Sequence, residues 1–252
     1  MRTVKCGSCR EIGHNKNYCP SSSSTITDYK NIGDKFLIIP FDLETTGLSP
    51  YRHEIIQIAS KTLIFSNGEI KGTTEYFDKF VCPVTPIPAL ITHITGISDD
   101  DVKESKCVKE VFSEWTVWLE SQCKKFECDK IVLAAHNSDF DMKFIFNSCS
   151  WRDEPSAEKF SKYVVAVINT VPICKSLELK CTKYKLGHIY KELFKKDIEN
   201  AHNALYDVDA LCEIIKHQTF IDNLLNEKFT IAVKLKDTID RMEKYRLAKF
   251  AK

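Results

Sequence analysis

The chain predicts a mixed α/β fold, a β-sheet flanked by helices, with a small metal-stapled segment at its amino terminus. Three observations carry that expectation. Strand-like segments at 36–42, 55–65 and 73–81 follow one another, with the hairpin dipeptide Asn67-Gly68 among them. From residue 108 onward, strand-like and helix-like patterns alternate, which builds a sheet with helices on both faces. Cys6, Cys9, His14 and Cys19 crowd a segment with almost no apolar residues of its own.

Each element has its own reason. Residues 36–42 begin with an unbroken apolar run, as a strand buried on both faces does, and 55–65 repeats the pattern. Residues 108–123 carry apolar residues at helical spacing, with Trp115 and Trp118 as core or groove anchors. Residues 131–135, Ile-Val-Leu-Ala-Ala, read as a short buried strand. Ser138 or Asp139 suits a helix N-cap, and Phe140, Phe144 and Ile145 then recur with a helix over 139–146. A strand at 164–170 and helices near 185–193 and 203–216 follow, with more helix to the end. Pro40 stands inside the first strand, where a missing N–H breaks a ladder bond; it marks a bulge or a shifted strand.

Three short motifs carry chemistry. In Phe41-Asp42-Leu43-Glu44-Thr45-Thr46-Gly47-Leu48, the two acids lie two apart on a strand and so face the same side. Two carboxylates that close repel unless a cation sits between them, and hard oxygen ligands suit Mg²⁺ or Mn²⁺. His136-Asn137-Ser138-Asp139-Phe140-Asp141 places Asp141 in the first turn of a helix. In His202-Asn203-Ala204-Leu205-Tyr206-Asp207, residues five apart would sit about 140° apart on one helix. His202 therefore belongs in the loop before the helix, Asn203 near its cap and Asp207 inside it, giving a mobile imidazole beside a rigid carboxylate.

With these motifs in order, the span from about Lys35 to Lys216 resembles the DnaQ-like, DEDDh-type 3′→5′ exonucleases of the ribonuclease H-like superfamily. Residues 54–59 resemble the family's second strand, 93–98 its segment before the helix that follows the third strand, and 184–186 its short helix before the last motif. The resemblance implies that Asp42, Glu44, Asp141 and Asp207 are the metal-binding acids and His202 the general base. It places Thr45, Leu48 and Phe140 in the pocket for the terminal nucleotide. Asp139 and Asp209 are expected to be bystanders, the first stabilising a helix N-terminus and the second facing solvent. The strand end at Asn169 departs from relatives, which often carry an acid there.

What the family does is then the expectation here: hydrolysis of single-stranded DNA or RNA from the 3′ end, releasing nucleoside 5′-monophosphates with two Mg²⁺ or Mn²⁺ ions at the terminal phosphate. A histidine's ordinary pKa of ~6.5 suits the proton transfer asked of His202. A second reading is a catalytically idle nucleic-acid-binding scaffold; a third is a proofreading subunit that works docked to a polymerase or to another replication or RNA-processing protein.

The amino-terminal spacing is C-x2-C-x4-H-x4-C, which sets three thiolates and an imidazole around a tetrahedral Zn²⁺ whose binding would supply the folding energy. It resembles the CCHC zinc knuckle of retroviral nucleocapsids and RNA-binding proteins, with Gly13 and Pro20 in place. Arg10 and Gly7 depart from that pattern and leave Ile12 and Tyr18 as the stacking candidates. The expected organisation is a knuckle at 1–20, a linker at 21–34, a catalytic domain at 35–218 and a basic helical extension at 219–252. In that extension Val233, Leu235, Ile239, Met242, Tyr245 and Leu247 recur at roughly helical intervals. A basic face there would be solvated, or would meet nucleic acid or a partner.

Composition bounds the rest. Net charge is +1, so any nucleic-acid contact must come from a local rim. Eleven cysteines without framework spacing fit a reducing, intracellular compartment. No apolar stretch approaches the ~18 residues of a membrane span. His53 and His93 are read as loop residues near the cleft, and His188 as a surface or packing residue.

Overall fold

A computed structural model of the chain describes residues 26–27, 33–148, 155–176, 179, 183–199, 202–225 and 232–250. Cys6, Cys9, His14 and Cys19, the expected knuckle ligands, lie outside the described residues. The chain runs β1 (Ile26–Thr27), β2 (Lys35–Thr45), β3 (Ile55–Ser66), β4 (Glu69–Phe80), α1 (Ala89–Thr95), α2 (Asp99–Val102) and α3 (Val108–Lys125). It continues through β5 (Ile131–Ala135), α4 (Asp139–Ser148), α5 (Pro155–Tyr163), β6 (Val164–Asn169), α6 (Thr170–Ser176), α7 (Leu186–Phe194) and α8 (Ala204–Lys216). It closes with α9 (Gln218–Leu225), β7 (Ala232–Lys234) and α10 (Leu235–Phe250).

The strands form one mixed sheet in the order β1-β7-β6-β5-β2-β3-β4. β2 runs antiparallel to β3 but parallel to β5, and β5 runs parallel to β6. Asn67 and Gly68 both take positive φ, at 51° and 85°, the mirror-image turn whose twist matches a two-residue hairpin. Pro40 sits in the central strand without a bulge: Ile38 opposes Leu63 and Phe41 opposes Ser60 in unchanged register, while Pro40 itself lies beside Ala134. The register shift in β2 falls later, between Glu44 and Thr45.

Strand alternation divides the core. Phe36, Ile38, Val132, Ala134, Ala166 and Ile168 face the side covered by α6 to α8, with Ile189, Val208 and Leu211 packed on them. Leu37, Ile39, Phe41, Ile131, Leu133 and Val167 face α3, α4, α5 and α10, where Trp115, Phe112, Phe160 and Phe144 fill the layer. Both faces are therefore covered, which explains why the central strands read as unbroken apolar runs. Buried side chains of this size each contribute roughly 1.5–3 kcal/mol of transfer free energy. Trp115 is fully buried and donates its indole N–H to Ser60 Oγ at 2.9 Å, and Trp118 packs against Phe77.

Several elements go beyond those expected from the sequence, among them the short helices α1, α2 and α6. α5 is a short amphipathic helix between α4 and β6. Ile26–Thr27, inside the expected linker, pairs with Val233 and Ala232 of β7. β7 in turn pairs with β6, so the carboxy-terminal extension contributes a strand to the sheet before its helix begins. No helix among the described residues is long and apolar enough to cross a membrane.

Candidate active site

β2 and β5 lie side by side and parallel, so their carboxyl ends open on the same edge of the sheet. Asp42 and Glu44 occupy the end of β2, with the alternation that turns Phe36 and Ile38 toward α8. α8 covers that face and carries Asp207 in its first turn. Carboxylate oxygens of Asp42, Glu44 and Asp207 all lie within 4.8 Å of one another. Asp141 reaches the same edge from β5: the strand ends at Ala135, a three-residue loop turns, and α4 presents Asp141 in its first turn.

The electrostatics of the four acids agree with their bunching. Burial, then the charges of Asp141, Glu44 and Asp207, holds the Asp42 carboxyl well above the usual carboxylate range. Burial and the charges of Asp207 and Asp141 push Glu44 up to about 8. Burial raises Asp141 to about 7, against the pull of its own and Leu43's backbone amides. Asp207 is also raised, by burial, and drawn back by the backbone amide and charge of His202. A set of carboxylate oxygens that resists ionisation together, with no lysine or arginine paired to it among the described residues, suits a hard divalent cation.

His202 precedes α8 in a left-handed conformation, φ 70°, unusual for a residue with a side chain. Its backbone N–H donates to Asp207 Oδ2 at 3.3 Å, and its ring is exposed. Asn203 is the N-cap, its side chain accepting from the Leu205 amide at 3.2 Å. Gln57 anchors the same helix start: its carbonyl accepts from the Ala204 amide, and its amide donates to Asp78 at 2.8 Å.

Thr45 is buried and donates its hydroxyl to the Gly47 carbonyl at 2.8 Å; Leu48 is 85% exposed beyond it. Phe140 is half-buried at the start of α4, its ring 5.0 Å from that of Phe144. His53 supports the turn between them and β3. Its Nδ1 accepts from the Ser49 amide, and its ring lies so close to Gly47 that an added Cβ would be 2.7 Å away. Glu54 ties this turn to the loop after β4: its backbone exchanges bonds with Thr46, while its carboxylate accepts from the Val84 amide and Thr85 hydroxyl.

The two expected bystanders are both engaged. Asp139 accepts from Arg241 at 2.8 Å, and Asp209, expected to face solvent, is half-exposed and paired with Lys61. His136 has a role the sequence did not reveal. Its Nε2 faces the Tyr184 carbonyl at 2.8 Å, so that nitrogen carries the proton and Nδ1 accepts from the Thr170 hydroxyl at 3.0 Å. Burial holds its pKa below the usual histidine value, against the Tyr184 carbonyl. Asn169 accepts from the Asn137 and Val171 amides, so a neutral amide holds both the loop to α4 and the start of α6. Together these bonds fasten the loop that delivers Asp141.

A family model described as Exonuclease matches residues 39–215. DNA polymerase III PolC-type of Streptococcus mutans serotype c is 31% identical over 195 residues, covering 75% of this chain and 12% of that protein. The protein of the same name from Streptococcus pneumoniae serotype 2 (strain D39) is 31% identical over 172 residues, covering 68% of this chain and 10% of that protein. The chain thus spans about a tenth of the length of these relatives. Among solved structures, cell-death related nuclease 4 superposes with a TM-score of 0.57 at 18% identity, covering 71% of this chain and 62% of that chain. A structure described as 3′-end specific recognition of histone mRNA stem-loop by 3′-exonuclease superposes with a TM-score of 0.58 at 19% identity, covering 79% and 70%. Likeness at that identity shows a shared fold.

Proposed function

This chain belongs to the exonuclease family whose model spans residues 39–215, and from that premise we propose that it is a metal-dependent 3′→5′ exonuclease acting on single-stranded ends. The observation that carries the reading is the bunching of Asp42, Glu44 and Asp207 within 4.8 Å, with His202 held beside Asp207. Asp42, Glu44 and Asp207 would hold one Mg²⁺ or Mn²⁺, and Asp141 with Asp42 a second. Such ions, when bound, supply Lewis-acid stabilisation of charge on the scissile phosphate.

The chain's own residues do the rest. His202, exposed at the cleft and anchored through its backbone, takes a proton from the attacking water. The water oxygen bonds to phosphorus, the bond from phosphorus to the 3′ oxygen breaks, and a nucleoside 5′-monophosphate leaves. Thr45, Leu48 and Phe140 line the place of the terminal nucleotide, Leu48 with its exposed apolar surface. Cys6, Cys9, His14 and Cys19 would bind Zn²⁺ in an amino-terminal module tethered to the catalytic domain, raising the effective concentration of any strand that module holds. A proofreading role beside a polymerase is the second reading, favoured by the polymerase names of the streptococcal relatives.

The test uses 5′-labelled single-stranded RNA and DNA with Mg²⁺, comparing the intact chain with Asp42→Ala and His202→Ala. A ladder shortening from the 3′ end, lost in both variants, is the expected result and ranks the two substrates. Binding without shortening, in Mg²⁺ and in Mn²⁺, would leave only a nucleic-acid-binding scaffold.

A further inference from the structure

β7 and α10 lie beyond the residues matched by the family model, yet α10 is built into the catalytic core. Leu235, Ile239 and Met242 recur at helical spacing and pack in the same cluster as Trp115, Phe144 and Ile145. The helix then grips α4 at two points. Arg241 Nη2 donates to Asp139 Oδ1 at 2.8 Å, with only 19% and 17% of the two side chains exposed. One turn further along both helices, Lys143 Nζ lies 4.8 Å from the centroid of the Tyr245 ring. The rungs 139–241 and 143–245 advance together, four residues on each helix, and so fix α4 in rotation as well as in position.

Rotation is what the site requires of α4. Its first turn carries two carboxylates, Asp139 and Asp141, and residues two apart on a helix point about 200° apart. Holding Asp139 toward α10 turns Asp141 toward Asp42 and the Leu43 amide. We propose that Arg241 is a positioning residue for the metal site: by pinning Asp139 it decides which of the two α4 carboxylates faces Asp42. Arginine suits the task because its planar guanidinium fixes the direction of the carboxylate it binds, which an ammonium does not. This inference rests on the reading of Asp141 as a metal ligand.

The test uses the full chain with Arg241→Ala, Arg241→Lys, Asp139→Asn and the double variant Asp139→Asn/Arg241→Ala. Three readouts are taken: Mn²⁺ affinity by electron paramagnetic resonance without substrate, kcat against KM for a single-stranded oligonucleotide, and the melting temperature. Arg241→Ala is expected to weaken Mn²⁺ binding and lower kcat by roughly 10–100-fold, the usual cost of losing a group that orients a metal ligand, with KM little changed. Arg241→Lys restores part of the loss, and the double variant is no worse than Arg241→Ala, because both act through one contact. A lowered melting temperature with Mn²⁺ affinity and kcat intact would make the contact merely structural and overturn the proposal. Should Arg241→Ala not fold, Asp139→Asn decides: wild-type Mn²⁺ affinity and kcat in that variant overturn the proposal equally. The two failures separate cleanly. A wild-type chain indifferent to Mn²⁺ overturns the reading of the site, whereas wild-type binding retained by every variant overturns the pin alone.

Discussion

Six carboxylates stand on β2, α4 and α8 around the carboxyl ends of the central strands, and they fall into two groups. Asp42, Glu44, Asp141 and Asp207 are turned toward one another and share no lysine or arginine among the described residues. Asp139 and Asp209, each two residues from a member of the first group, are turned away and each holds a cation, Arg241 or Lys61. Asp139 shares α4 with Asp141, and Asp209 shares α8 with Asp207. What separates a clustered carboxylate from a paired one on these helices is which way two residues of helix rotation point it, and whether a positive side chain is waiting there. A paired carboxylate is satisfied within the fold; a cluster of unpaired ones costs stability until something positive enters.

The largest effect should come from the first group. Asp42→Ala removes the acid whose neighbours include all three others, and its loss of exonuclease activity should exceed the ~10²–10⁴-fold typical of a lost general base. His202→Ala should fall within that range, with partial recovery on adding imidazole; an unchanged rate in steady-state cleavage would remove His202 from the chemistry.

Next in size is an effect on stability. Glu44 and Asp141 have folded pKa values raised to about 8 and about 7, above the ~4 of an unfolded carboxyl. The stability they contribute is therefore complete below pH ~4 and is lost as pH rises through 7 and 8. In EDTA, Glu44→Gln should melt several degrees above wild type at pH 8 and close to it at pH 5, and saturating Mn²⁺ should abolish the gap by stabilising only the wild type. Equal melting of the two proteins in EDTA at pH 8 would contradict the crowding of the cluster.

The smallest effect sharpens the contrast from the other side. Asp209→Asn breaks a half-exposed pair with Lys61, so it should cost at most about 1 kcal/mol in denaturant unfolding and leave cleavage within about twofold. A catalytic loss approaching that of Asp42→Ala would dissolve the distinction between the two groups.

Much of this was legible because it is local. The Ile131–Ala135 strand, the Asn67-Gly68 turn and the placement of His202 before α8, Asn203 at its cap and Asp207 in its first turn follow from runs, spacing and cap chemistry within a few residues. Other features depend on pairings that periodicity cannot encode. Gln57 reaches Ala204 across 147 positions, Arg241 reaches Asp139 across 102, and His136 reaches Tyr184 across 48. Pro40 misled for a related reason: its missing N–H is a fact of sequence, but the surrounding ladder keeps its register without a bulge there. β7 is three residues long, too short for any pattern to announce it.

Glu54 has a bearing on motion. Its backbone N–H and carbonyl both bond to Thr46 while its carboxylate holds Val84 and Thr85, so the turn after β2 and the loop after β4 are clasped by one residue. Regions joined in this way open together rather than separately. The amides of Thr46, Glu54 and Val84 should then exchange with deuterium as a single cooperative unit, and Glu54→Ala should let the Val84 amide exchange much faster while the β2–β3 ladder stays protected. One wall of the cleft would breathe as a block, and the strand carrying Asp42 would stay still beneath it.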